Sequence, residues 1–157
     1  MFEKVLVCLD GSPLAEEMLP RIAGEPGAFG KVLLVKVLAP PEFNLPIGIP
    51  GETAAPLSTG SRLQHFQEEL EKAPAYLEEK AAGLREVGLD VETVVLQGTP
   101  SEAIIDFARD NGVTLIAIAT HGHSGFRHIT MGSTAEAVLR HSGLPVLLAA
   151  PRRQQQK

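Results

Sequence analysis

The sequence predicts an α/β domain: a single doubly wound parallel sheet with helices on both faces. Three observations carry this. Five short apolar runs, at residues 5–9, 32–38, 91–96, 115–119 and 145–149, have the length of buried strands. Between them lie stretches with helix-start signals and apolar residues every three or four positions. The resulting β-α-β-α-β-α-β-α-β alternation is the pattern of a parallel sheet wound by crossover helices.

Taken in order, residues 5–9 form the first strand and Asp10-Gly11-Ser12-Pro13 ends it. Ser12 can cap a helix that has Pro13 at its first position. That helix should turn Leu14, Met18 and Ile22 inward, with Pro20 kinking or shortening it. Gly24 to Gly30 reads as a loop. The second strand, residues 32–38, is apolar except for Lys36. Residues 40–60 then carry Pro40, Pro41, Pro46, Pro50 and Pro56 with Gly48, Gly51 and Gly60, and neither helix nor strand is expected there. A loop of that length in a compact domain is usually functional or disordered. Leaving the second strand where it does, it reads as a lid or partner-docking loop.

Ser61, with Gln64 three residues on, should start a long helix. Leu63, Phe66, Leu70, Ala73, Leu77, Ala81 and Leu84 make its apolar face. Glu68, Glu69, Glu71, Glu78 and Glu79 fall mainly outside that face and read as solvated. Pro74 should bend the helix and Gly88 end it. The third strand, residues 91–96, leads to Thr99-Pro100-Ser101-Glu102: cap, first position and third position of the next helix. Ile104, Ile105 and Ala108 are its buried side and Gly112 its stop.

The stretch from Thr114 to Gly143 is the most informative. The fourth strand runs into a polar loop from Thr120, and Gly132-Ser133-Thr134 opens a helix. Ser133 and Glu136 have capping-box spacing, and Gly143 is the stop. A helix start offers free backbone N–H groups and the positive end of the peptide dipoles. Gly122, Gly125 and Gly132 let an incoming group approach the main chain. Such a segment either cradles a phosphate or is a strand–loop–helix connection whose glycines only make turns.

Composition narrows the classes. With 157 residues, one domain is expected, spanning 1–151, with residues 152–157 as a polar tail. The chain is 44% hydrophobic and 21% charged, as for a globular protein. A net charge of −5, with no basic run beyond Arg152-Arg153, argues against general nucleic-acid binding. Met1-Phe2-Glu3-Lys4 does not open a signal peptide, and no apolar run approaches membrane-spanning length. The single Cys8 fits a reducing cytoplasm. It is expected to be a buried small hydrophobe rather than a reactive thiol.

Ala119-x2-Gly122-x9-Gly132-Ser133 resembles the Gly-x2-Gly-x9-Gly-Ser/Thr signature of the universal stress protein family, with Ala119 in place of the first glycine. Asp10-Gly11-Ser12, and Glu136, Val138, Leu139, His141 and Pro145-Val146-Leu147, resemble the family too. The resemblance implies strand order 3-2-1-4-5 in a Rossmann-like, adenine nucleotide alpha hydrolase-like fold. Strands 1 and 4 then meet where the winding reverses, and ligands of such sheets bind beyond the strands' carboxyl ends at that point. It also implies an ATP site, with magnesium, in the nucleotide-binding branch. Asp10 would contact the ribose or a phosphate-bound metal; turn formation is the other role open to it. Val37 would offer backbone groups to adenine, or is simply strand core. Ala119, Thr120, His121, Gly122 and Gly125 would wrap the phosphates, and Gly132, Ser133 and Thr134 complete the cradle. The resemblance further implies a homodimer through strand 5, an apolar edge of the kind that invites pairing.

His121, His123 and His128 match no zinc spacing, and no metal site is expected of them. His123, Arg127 and His128 read as solvent-facing groups that add positive potential near the phosphates. P-loop, dinucleotide and nucleophile-elbow motifs are missing from the sequence, so slow ATP hydrolysis at most is expected. Three functions compete: a nucleotide-dependent stress or signalling module, a dimeric partner-binding stress protein that holds no nucleotide, and a catalytic adenine-nucleotide enzyme of the wider fold group, whose usual extra motifs are missing from this sequence.

Overall fold

The structure, a computed structural model, describes residues 1–41, 59–121 and 131–151. In chain order these hold β1 (Phe2–Cys8), α1 (Pro13–Glu16), α2 (Met18–Gly24), a 3-10 turn (Pro26–Ala28), β2 (Phe29–Leu38) and α3 (Thr59–Glu86). They continue with β3 (Asp90–Gln97), α4 (Pro100–Asp110), β4 (Leu115–Ala119), α5 (Ser133–His141) and β5 (Val146–Ala149). The sheet order is β3-β2-β1-β4-β5 and every pairing is parallel. The central strand sets Leu6 beside Leu33 of β2 and Ile116 of β4.

Strand alternation divides the core into two layers. Val5, Val7, Leu34 and Ala117 pack toward Met18 and Ile22 of α2 and Leu77, Ala81 and Leu84 of α3. Leu6, Val35, Ile116 and Ile118 pack toward Ile104 and Ala108 of α4 and Ala135 and Val138 of α5. Each large aliphatic side chain buried this way contributes about 1.5–3 kcal/mol.

Several elements differ from expectation. The first helix is two: α1 ends at Glu16 and α2 begins at Met18. Pro20 has no N–H for the Glu16 carbonyl and its ring crowds that carbonyl, so the break falls one turn earlier. Ser12 caps as expected, its hydroxyl accepting from the Ala15 N–H at 3.2 Å. Gly24 to Gly30 is only partly loop, because Gly30 lies within β2. A Cβ there would come 2.6 Å from the Glu3 carbonyl oxygen on β1.

The long helix starts at Thr59, includes Gly60, and runs 28 residues straight through Pro74 in hydrogen-bonding pattern. Pro74 is exposed, and on a solvent-facing side a carbonyl left without its N–H partner can be hydrated. Leu63 is 49% exposed and leaves the expected apolar face, while Ala73, Leu77, Ala81 and Leu84 are buried. Only the second half of α3 is fully seated. Four of its acidic residues have partners: Glu69 lies 3.4 Å from Lys36, Glu78 lies 2.7 Å from Arg85 and accepts from the Thr93 hydroxyl at 2.8 Å, Glu68 accepts from the Gln64 amide at 3.2 Å, and Glu79 lies 4.0 Å from Lys80. Gly88, at φ +92°, closes the helix, with its N–H on the Arg85 carbonyl and the Leu89 N–H on the Leu84 carbonyl. That bond pair is a Schellman stop, and Leu84 and Leu89 supply its apolar contact.

Residues 42–58 of the Pro/Gly-rich segment, Gly122, Gly125, His123, Arg127, His128 and the tail from 152 lie outside the described residues.

Candidate functional site

The site is built where β1 and β4 end side by side. Leu9 continues the β1 line, its N–H bonding the Val35 carbonyl at 2.8 Å. Gly11 then takes φ +82°, a left-handed conformation that favours glycine. The Asp10 carboxylate accepts from the Ser12 N–H at 2.9 Å through Oδ1. Asp10 is therefore a turn former, and that role uses one of its two oxygens.

β4 ends at Ala119, and the Thr120 N–H donates to the Ala149 carbonyl at 2.9 Å. The Thr120 carbonyl accepts in turn from the Gly132 N–H, which ties together the two ends of the connection into α5. A Cβ on Gly132 would lie 2.9 Å from the Thr120 oxygen and 3.5 Å from the His121 Cα. Glycine is needed here so that the chain can close on itself, which is a different reason from the ligand approach expected of it.

The capping box expected at Ser133 and Glu136 does not form. Gly132 is the N-cap, at φ −60° and ψ 152°, and among the described residues no side chain caps the helix. Ser133 is already the first helical residue, and Glu136 instead pairs with Arg140 at 2.9 Å. Among the described residues the first-turn N–H groups of α5 have no side-chain acceptor, and Ser133 and Thr134 line the same cleft as Asp10. Thr99 at the start of α4 likewise holds the cap position without a side-chain bond.

These ends enclose a cleft of about 300 Å³. Asp10, Val37, Ala119, Thr120, His121, Gly132, Ser133 and Thr134 all line it. Gly122 and Gly125 of the expected set lie outside the described residues. The cleft has two chemical halves. Cys8, Val35, Val37, Pro100, Ile104 and Ile118 make an apolar slot; Asp10, Thr120, His121, Ser133 and Thr134 make a polar end. Motif reading did not find Cys8, Val35, Pro100, Ile104 or Ile118. The signal was there in strand parity: Cys8, Val35, Val37 and Ile118 all belong to the layer facing α4 and α5.

Ala119 stands in an extended strand, and no described residue other than glycine has positive φ. The methyl is unstrained and forms part of the cleft wall. Burial, and then the charge of Asp10, push the Cys8 thiol up to about 12. The thiol stays protonated and acts as a small apolar group. His121 Nδ1 lies 2.9 Å from the Thr120 hydroxyl, and its Nε2 is buried with no partner among the described residues. Among the described residues no three His, Cys, Asp or Glu side chains converge as metal ligands.

A doubly wound sheet with a cleft at its winding reversal, half apolar and half polar, defines the class: a small Rossmann-like α/β domain. Residues 1–150 match the Universal stress protein family, and the chain belongs to that family. Universal stress protein MJ0577 of Methanocaldococcus jannaschii is 29% identical over 94% of both chains. Its solved structure superposes with a TM-score of 0.78 at 26% identity, covering 98% of this chain and 99% of that one. The universal stress protein of Archaeoglobus fulgidus in complex with dAMP gives a TM-score of 0.60 at 22% identity, over 94% of this chain and 97% of that one. A family member from Arabidopsis thaliana with AMP bound gives 0.64 at 14% identity, over 96% and 93%. No described helix is long and apolar enough to cross a membrane.

Proposed function

We propose that this chain binds an adenine nucleotide, ATP with magnesium, in the cleft between β1 and β4, and works as a nucleotide-dependent stress or signalling module. The observation that carries the reading is the start of α5: a helix terminus that no described side chain caps, at the polar end of a cleft whose other end is apolar. A nucleotide has the same two halves. Its base is a flat, largely apolar ring, and its phosphates match free N–H groups at a positive helix end. The dAMP and AMP complexes of proteins with this fold support it.

In this reading the base enters the slot between Val35, Val37 and Ile104, with Val37 backbone groups at its polar edge. Ser133 and Thr134 hydroxyls and the first-turn N–H groups take phosphate oxygens, with Thr120, His121, Gly122 and Gly125 around them and Gly132 holding the turn. Ala119 forms the wall beneath. Asp10 has one carboxylate oxygen left for the ribose or for magnesium, which takes one or two carboxylates and completes its shell with phosphate oxygens and water. The domain boundaries are 1–151 with a short tail.

Titration calorimetry with Mg-ATP tests this. Binding is expected, and ligand at 100 times Kd should stabilise the fold by about 2.7 kcal/mol. Dilution heat alone, with an unmoved melting transition, overturns it. One observation favours a second reading, a partner-binding dimer without nucleotide: the Ala119 methyl occupies cleft wall where the family signature has glycine. The same titration separates the two.

A further inference from the structure

Tyr76 is the only tyrosine of the chain, and there is no tryptophan. It projects from α3, far in sequence from the cleft, yet its hydroxyl donates to Glu16 Oε1 at 2.8 Å. Lys80, one turn along α3, lies 3.5 Å from the same Glu16 oxygen and 5.6 Å from the Tyr76 ring centre. Lys36 of β2 lies 5.0 Å over the ring and is paired with Glu69. The phenol is thus bracketed by two ammonium groups, each with its own carboxylate.

Glu16 is the last residue of α1, a helix of four residues that begins directly after Asp10, Gly11 and Ser12. One turn of helix cannot hold itself in water. Only Ala15 of α1 is fully buried. The turn's own bonds, Ser12 N–H to Asp10 and Ala15 N–H to Ser12, fix Asp10 relative to α1. They do not fix α1 relative to the sheet. Ala15 and Leu14 pack it on the core, and among the described residues the polar contact that reaches α1 from another element comes from α3, through Tyr76 and Lys80 on Glu16. Burial, and then the Glu16 hydrogen bond, push the Tyr76 pKa above its ordinary value, so the hydroxyl remains a donor throughout the neutral range.

We propose that Tyr76 is a positioning residue: its hydroxyl clamps α1 through Glu16, holds the Asp10 carboxylate at the rim of the cleft, and links the cleft to α3. The structural half of this stands on the contacts alone; the ligand half rests on the nucleotide reading.

Tyr76→Phe keeps the ring and removes the hydroxyl. In ligand-free protein, hydrogen exchange of the peptide covering residues 9–17 should quicken about tenfold in this variant, with α4 and β4 unchanged. Glu16→Gln, which keeps an acceptor, should stay near wild type, and Glu16→Ala should follow Tyr76→Phe. With Mg-ATP, Tyr76→Phe should raise Kd at least fivefold, and wild-type tyrosine emission should change on saturation. Unchanged exchange at residues 9–17, or a rise spread evenly over the chain, overturns the clamp whether or not nucleotide binds. Faster exchange with an unaltered Kd overturns its role toward the ligand. Wild-type protein that binds no Mg-ATP overturns the nucleotide reading instead, and the exchange result alone then decides the clamp.

Discussion

At Gly132 a single hydrogen atom in place of a side chain lets two chain ends meet. A methyl group there would press on the Thr120 carbonyl at 2.9 Å, a backbone atom that cannot swing aside. Gly132→Ala should therefore destabilise the fold by about 1–3 kcal/mol, the usual cost of overpacking, read as a lower urea midpoint. It should also weaken Mg-ATP binding, because the start of α5 moves with it. Cys8 makes a different prediction. With its pKa near 12, only about one thiol in ten thousand is ionised at pH 8. Iodoacetamide should leave native protein unmodified while labelling it in denaturant. The sign of the linkage follows. The folded thiol keeps its proton while the unfolded one loses it above about pH 8.5. Its contribution is complete below that pH and declines as pH rises toward 12, by up to about 1.4 kcal/mol per unit. Urea midpoints measured from pH 8 to 10.5 should fall less steeply in Cys8→Ala.

Among the elements, α3 shows how periodicity overstates packing. Leu63 and Leu77 belong to one apolar series, spaced four turns apart in all but name, yet one is 49% exposed and the other 0%. Leu77→Ala should cost about 2–5 kcal/mol, as for a filled core site. Leu63→Ala should stay within about 0.5 kcal/mol. Chemical denaturation of the two variants side by side checks this, and equal losses would contradict the half-seated helix. The expected apolar face was right in its second half because the sheet lies beneath it. The residues alone do not say where that support ends. The contacts of Glu69 and Glu78 have the same origin: their partners come from β2, from about two turns further along α3 and from β3.

Across the whole molecule, β5 is the outer strand on its side of the sheet, and Leu147 is 38% exposed on it. Leu139 of α5 is exposed as well. An apolar open edge recruits another chain unless it is covered. We expect a two-fold dimer formed edge to edge through β5, with Leu147→Asp converting it to monomer. Sedimentation at micromolar concentration checks both species, and a wild-type monomer would remove the dimer. The cleft opens at the junction of β1 and β4, one strand in from that edge, and Leu147 does not line it, so dissociation by Leu147→Asp should leave Mg-ATP affinity close to wild type.

Alternating apolar runs and turn residues were sufficient for the strands, their order of appearance and the parallel sheet, because burial of a strand depends on its own pattern of side chains. Asp10, Ala119 and the Gly132-Ser133-Thr134 start were legible as a motif for the same local reason. Which side chains line the apolar half of the cleft was decided only when β1, β2, β4 and α4 were brought together, since Cys8, Val35, Ile118 and Ile104 lie in four separate segments. The same holds for the bare start of α5. Ser133 has the chemistry of a cap, but the Gly132 N–H is drawn onto the Thr120 carbonyl and shifts the cap by one residue. The clamp of Tyr76 on Glu16 spans 60 positions of chain. Local sequence sets what each segment can form, and only tertiary packing sets which distant groups must satisfy one another.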